Sequence, residues 1–250
     1  MNLDEFKHIL LIGGRSGIGR SYLDLVLARH DSLVTYCGRS EIVPSLSHDR
    51  LNFAKLDLSV AQKRRSVVED AVAKFGKIDH IVFFQRNRST SDELPDEVDI
   101  MLSATSDIIE SAIDVFKPSG SRSIVVLNSA LSRFATSETP LAYHLVRGAL
   151  EQLVRYFAVR LGPDNIRVNS VSTCTIQKIE NTEFFGGIGK KRADYQRGIT
   201  PRGYFGTSED ISHIISFLAS DVSNLINGQT IVADGGMTLQ WPEDFILKAK

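Results

Sequence analysis

Ile9-Leu10-Leu11-Ile12-Gly13-Gly14-Arg15-Ser16-Gly17-Ile18-Gly19 decides how the rest of this chain is read. An apolar run of strand character feeds a glycine-rich turn, and a helix-period segment follows at once. Gly13 permits the tight turn, Gly17 lets backbone approach a pyrophosphate with no Cβ in the way, and Gly19 lets the helix pack closely on the strand. Phosphates held there, with Ser16 and Ile18 in the same cradle, meet unpaired backbone N–H groups and the positive end of a helix dipole. The stretch reads as a dinucleotide-binding turn. Any strand-to-helix turn favours glycine, so residues downstream must discriminate.

Outward from this turn, apolar runs of strand length recur at 7–12, 32–37, 51–56, 79–84, 123–127, 166–171 and 230–233. Helix-period segments at 17–28, 60–74, 97–115, 140–161 and 208–218 mostly separate them, the last opened by Ser208 as N-cap with Glu209 and Asp210 in its first turn. The alternation predicts an α/β fold: a single Rossmann-like, doubly wound parallel sheet of about seven strands with helices on both faces. With no repeat, low-complexity tract or linker, one domain spans residues 1–250. Only 180–205 breaks the pattern. Its Gly186, Gly187 and Gly189, followed by Lys190-Lys191-Arg192, suit either a mobile lid over a substrate pocket or an ordinary solvated loop.

A chain of 250 residues, 42% of them hydrophobic, buries a substantial core without disulfides or metals. Its net charge of -1, with no long single-sign block, argues against nucleic acid or an anionic membrane as partner and leaves a small-molecule substrate. The N-terminus lacks the features of a secretory signal and no apolar run approaches bilayer length, so a cytoplasmic location is expected. Cys37 and Cys174 have no C-x-x-C spacing, which argues against a disulfide framework or a zinc site, and no metal is expected.

Further landmarks, in order over nearly the whole chain, resemble the short-chain dehydrogenase/reductase family. Ile12 to Gly19 match its T-G-x-x-x-G-x-G loop, with Ile12 where threonine is usual. Asp57, in Leu56-Asp57-Leu58, is similar to the aspartate that hydrogen-bonds adenine, and Leu58 beside it is assigned to the same cofactor site. Ser129 and Tyr143 fall at the active-site serine and tyrosine, with Tyr143-His144-Leu145-Val146-Arg147 standing for Y-x-x-x-K. Phe217-Leu218-Ala219-Ser220-Asp221 and Asp234-Gly235-Gly236 resemble the family's last helix and strand end.

The resemblance implies a nicotinamide cofactor, and charge argues which. NAD offers a ribose 2′-hydroxyl that an acid at the end of the second strand would bind. Tyr36-Cys37-Gly38-Arg39-Ser40 has glycine there and arginine next, which favours NADP(H): Arg39 offers a planar fork for the phosphate, Ser40 a hydroxyl, and Arg15 a second cation.

In the family, tyrosine passes a proton to or from the substrate oxygen while hydride crosses to or from the nicotinamide. An unperturbed phenol titrates near pH ~10, so Tyr143 needs adjacent positive charge, and Arg147, four residues on along a helix, is on the same face. Ser129 would polarise the carbonyl. Arg147 replaces the lysine that binds nicotinamide ribose; it keeps the charge but relays no proton. The asparagine that holds a relay water aligns with Met101, whose thioether cannot take that part. Phe83-Phe84-Gln85-Arg86 stands for N-N-A-G, and Thr173-Cys174-Thr175-Ile176 for P-G-x-I, of which Ile176 alone keeps the nicotinamide contact.

Other residues admit two readings. Arg86 and Arg88 suit an acidic substrate group or the cofactor phosphates, or else solvent. Cys174 reads as a packing residue, His144 as a core or surface histidine, and Phe184, Phe185 and Tyr195 as a pocket wall or part of the fold's core. The expected function is an NADP(H)-dependent oxidoreductase interconverting a ketone and a secondary alcohol. The alternatives are an NADP-binding protein with isomerase, cyclase or lyase activity and a cofactor-sensing regulatory protein. Family members commonly pair through the helices that carry the active site, which implies a homodimer or homotetramer.

Overall fold

The computed structural model describes residues 7–29, 31–40, 49–87, 93–178, 181 and 189–248. Seven strands form one parallel sheet: β1 (Lys7–Ile12), β2 (Ser32–Gly38), β3 (Leu51–Lys55), β4 (His80–Phe83), β5 (Arg122–Ser129), β6 (Ile166–Thr173) and β7 (Thr230–Ala233), in the order β3-β2-β1-β4-β5-β6-β7. The order reverses between β1 and β4, so the chain leaves the sheet in opposite directions there and a crevice opens at the carboxyl ends.

Strand residues are apolar on both faces because each face carries helices. Leu10, Ile12, Phe83, Ile124 and Val126 pack in one buried cluster with α2 (Ala61–Phe75), α4 (Ala104–Ala112) and α5 (Leu141–Leu161). Ile9, Leu11, Val34, Val82 and Val125 pack in a second with α1 (Gly17–Ala28) and the helix over Ser208–Leu218. The expected fold class is the one found.

Three local expectations are corrected. The helix expected over 97–115 is broken: α3 (Leu94–Val98) leads into a wide π-turn, Asp99–Ser103, before α4, and a 3-10 turn ends it at Ile113–Val115. Buried Arg64 of α2 grips this break, bonding Asp99 Oδ2 at 2.5 Å and Asp107 Oδ2 at 3.0 Å. A wide turn keeps the apolar residues on one side, so periodicity reads straight through it. Residues 190–199, expected as loop, form helix α6 (Lys190–Ile199), and the helix α7 (Ser208–Leu218) follows. Thr207, not Ser208, caps α7: Asp210 N–H donates to Thr207 Oγ1 at 3.2 Å, and Thr207 N–H donates to Asp210 Oδ2 at 2.8 Å, a reciprocal capping box. A short helix α8 (Pro242–Lys248) ends the described chain.

Candidate active site

The crevice is a cavity of about 950 Å³ running from the β1–α1 turn to the start of α5. Gly13 turns with φ 74°, a region open to glycine at little cost. A Cβ on Gly19 would lie 2.3 Å from the Cα of Gly14, so α1 abuts the turn only because neither residue has a side chain. Sequence reasoning assigned Gly19 this role and missed Gly14. Arg15, Ser16 and Ile18 line the cavity, as do Leu58 and Ile176.

At the end nearest β2, Arg15 Nη1 donates to Ser40 Oγ at 3.1 Å, with Arg39 beside them on the wall. The Tyr36 hydroxyl lies 2.4 Å from where a Cβ on Gly38 would stand. Its ring is stacked on Phe53 with centroids 5.9 Å apart, so any side chain at 38 would meet a braced phenol. Burial pushes the Tyr36 phenol above its ordinary range, opposed by the charge of Arg15. Asp57 Oδ1 accepts from the Ser59 hydroxyl at 2.8 Å and from Ser59 N–H at 3.1 Å, and these bonds hold its carboxyl below the usual range.

At the other end, Ser129 is the last residue of β5, and its Oγ accepts from Leu131 N–H at 3.2 Å, ordering the turn that follows. Pro140 precedes α5 and Tyr143 sits in its first turn. One turn on, Arg147 lies with its guanidinium carbon 4.6 Å from the centre of the Tyr143 ring, over its face. Arg147 is only 5% exposed. Its Nη1 makes a long bond, 3.4 Å, to the Leu127 carbonyl, and no carboxylate pairs with it among the described residues. A desolvated cation on an aromatic face contributes about 2 kcal/mol. All three side chains line the same cavity. The arrangement offers a hydroxyl and a phenol at one wall, with a fixed positive charge on the phenol's face.

The remaining residues separate. Met101 is buried in the core inside the π-turn, so its thioether has no part in a polar relay. Cys174 lines the cavity, and burial pushes its thiol up to about 12, which leaves it protonated and inert. Arg86 is an exposed wall residue. Arg88, Glu180, Phe184, Phe185, Gly186 and Gly187 lie outside the described residues. Tyr195 projects from α6 half exposed and does not line the cavity. His144 holds the turn after β5, with its ring nitrogens 3.3 Å from the Leu131 carbonyl and 3.2 Å from that of Thr136. Gln85, quoted in the stretch that stands for N-N-A-G, lines the wall, and so does Asn128, which was missed; its one signal was an amide directly before Ser129.

A family profile described as Enoyl-(Acyl carrier protein) reductase matches residues 17–238. A tropinone reductase homologue of Arabidopsis thaliana is 28% identical over 93% of this chain and 92% of its own. An L-rhamnose 1-dehydrogenase (NAD(P)(+)) of Sphingomonas sp. is 27% identical over 95% of this chain and 98% of its own. A glucose/ribitol dehydrogenase from Brucella melitensis, a short-chain dehydrogenase/reductase, matches with a TM-score of 0.80 and 27% identity over 93% of this chain and 98% of that one. A short chain oxidoreductase from Pseudomonas aeruginosa described as containing an atypical catalytic center shares the fold, with a TM-score of 0.82 and 20% identity over 94% and 98% of the two chains. With a profile spanning most of its length and relatives matched nearly end to end, this chain belongs to the short-chain dehydrogenase/reductase family of oxidoreductases.

Proposed function

We propose that this protein is a cytoplasmic, NADPH-dependent carbonyl reductase that interconverts a ketone and a secondary alcohol on a small organic substrate. The family uses a nicotinamide cofactor, and the residues present fit one. The glycine cradle admits no Cβ at Gly19. The cavity wall carries Arg15, Arg39, Arg86, Arg147 and Lys178 against Asp57, Asp96 and Asp99, an excess of positive charge suited to a polyanion. Preference for the 2′-phosphate is supported by the Arg15–Ser40 pair beside Arg39, and by the Tyr36 phenol where an acid at 38 would begin.

The observation that carries the reading is the Tyr143 ring capped by the Arg147 guanidinium in the cavity that Ser129 also lines. When bound, the nicotinamide ring supplies or accepts the hydride. The Ser129 hydroxyl donates to the carbonyl oxygen and polarises it. Tyr143 hands its phenolic proton to that oxygen in reduction and takes it back in oxidation. The fixed charge of Arg147 stabilises the phenolate left behind, and its N–H groups hold ribose hydroxyls. Because guanidinium keeps its proton, Tyr143 is reprotonated by another route.

The 180–205 region, described at 181 and 189–205 with α6 within it, acts as a lid in this reading; Thr175, between the wall residues Cys174 and Ile176, donates its hydroxyl to Gln196 Oε1 at 3.2 Å and ties α6 to that stretch. Pairing into a homodimer or homotetramer is supported by Leu141, Leu145, Tyr156 and Val159, exposed along α5.

The test is NADPH with a panel of small carbonyl compounds. Substrate-dependent loss of reduced-nicotinamide absorbance is expected, abolished by Tyr143→Phe. Tight NADPH binding with no oxidation on any substrate refutes the reading and favours a second one, supported by Arg147 and the buried Met101: a structural cofactor in an isomerase, cyclase or lyase, or a sensor indifferent to Tyr143→Phe.

A further inference from the structure

Three buried polar atoms, Gln85 Oε1, Asn128 Oδ1 and Arg147 Nε, have no hydrogen-bond partner among the described residues. Their residues are 8%, 3% and 5% exposed, and all three line the cavity. Such groups are costly to leave unpaired, and two acceptors with one donor need a group that donates twice and accepts once. The three belong to one neighbourhood. β4 and β5 pair at Phe83↔Val126, and Gln85 and Asn128 each lie two residues further on, with side chains on the α4 and α5 face. The Asn128 amide nitrogen donates to the Arg147 carbonyl at 3.1 Å. The Gln85 amide nitrogen donates to Thr105 Oγ1 at 2.7 Å, which in turn donates to the Met101 carbonyl at 2.7 Å. That chain starts at the π-turn and fixes which way round the Gln85 amide lies: Thr105 has spent its proton on Met101, so Gln85 must offer nitrogen to it, which leaves its oxygen as the unpaired atom. Asn128 is fixed the same way by the carbonyl it serves.

We propose that Gln85, Asn128 and Arg147 build a site for one buried water, which donates to the two amide oxygens, accepts from Arg147 Nε–H, and so pins the guanidinium against the face of Tyr143. A ribose hydroxyl has one proton and would leave an amide oxygen unpaired; a water satisfies all three. Without it, the one hydrogen bond that the guanidinium donates among the described residues is the long one to the Leu127 carbonyl. Gln85 and Asn128 are thus positioning residues that act through Arg147. The water site stands on the geometry alone, whereas its effect on turnover rests on the carbonyl-reductase reading.

Two measurements test it. A crystal structure of the unmodified protein, at a resolution that orders internal waters, is expected to show one within about 3.2 Å of Gln85 Oε1, Asn128 Oδ1 and Arg147 Nε. Clear density with no water there, or with either amide reversed, overturns the proposal. The second is a double-mutant cycle on the NADPH-dependent reaction. Gln85→Met is expected to lower kcat about tenfold in the natural protein, yet less than about twofold in an Arg147→Lys background, where the Nε donor is already gone. Equal losses in both backgrounds would mean that Gln85 only braces α4, and would also overturn it. If no carbonyl is reduced by any variant, the functional reading fails on its own and the crystal structure still decides the water.

Discussion

Gly19→Ala puts the cradle to a quantitative test. The added methyl would lie 2.3 Å from the Cα of Gly14, 2.7 Å from its carbonyl oxygen and 2.9 Å from its carbonyl carbon, all backbone atoms with no rotamer to yield. Carbon atoms in contact sit about 3.5 Å apart at closest, so α1 and the β1–α1 turn must separate by roughly 1.2 Å. Overpacking of this kind costs about 1–3 kcal/mol, or a fall in Tm of roughly 2–12 °C for a chain of this size. The same displacement would pull the turn off the phosphates it is proposed to hold, and NADPH affinity is expected to fall at least tenfold, ~1.4 kcal/mol. Differential scanning calorimetry and titration of the reduced cofactor's fluorescence read the two effects. The control is Gly198→Ala within α6, where a Cβ meets nothing within 4 Å. There helix propensity predicts stabilisation of up to about 1 kcal/mol. A Gly19→Ala protein with Tm within 1 °C, roughly, of the parent and unchanged NADPH affinity would refute the close-approach argument.

Replacing Arg15 and Arg39 together by alanine should raise the KM for NADPH on the order of 10–100-fold, the worth of one or two charge-assisted bonds, and leave the KM for NADH nearly unchanged; steady-state kinetics with both cofactors decides. Arg64→Met removes bonds to Asp99, Asp107 and, at 2.7 Å, the Leu58 carbonyl; the half-exposed acids can rehydrate, so urea unfolding should show a loss of about 1–3 kcal/mol. Burial lowers the His80 pKa to about 3, helped by Lys7, Arg167 and Lys117, and burial also lowers that of His8. The folded state therefore excludes protons that the unfolded state binds: stability is full above pH ~6.5 and falls below it, by up to about 1.4 kcal/mol per pH unit for each histidine. Denaturant midpoints measured from pH 7.5 down to 5, roughly that window, should decline, less steeply in His80→Gln; a flat profile would contradict it.

Strand positions were legible because each strand is buried on both faces and reads as a continuous apolar run, and because glycine marks the first turn. The π-turn was not, since widening a helix by one residue leaves its apolar side in place; what betrays it is the grip of Arg64 on Asp99 and Asp107, far apart in sequence. Thr207 and Ser208 are chemically interchangeable as caps, and only the reciprocal bond from Asp210 selects Thr207. Ser129, Tyr143 and Arg147 were expected together from the family resemblance, and all three line one cavity. Asn128 was not singled out, nor was its placement beside Gln85, because that arises from β4 and β5 being brought side by side, which no local pattern records.

The phenol of Tyr36 above Gly38 also bears on how this protein can change over generations. Placing aspartate at 38, the single step toward the other dinucleotide, drives a new side chain into a ring braced by Phe53. Trimming Tyr36 first instead hollows out an apolar cluster. Either order passes through a weaker intermediate, so under the proposed NADP(H) reading a swap of coenzyme demands two coordinated substitutions, and packing adds to what charge would do there.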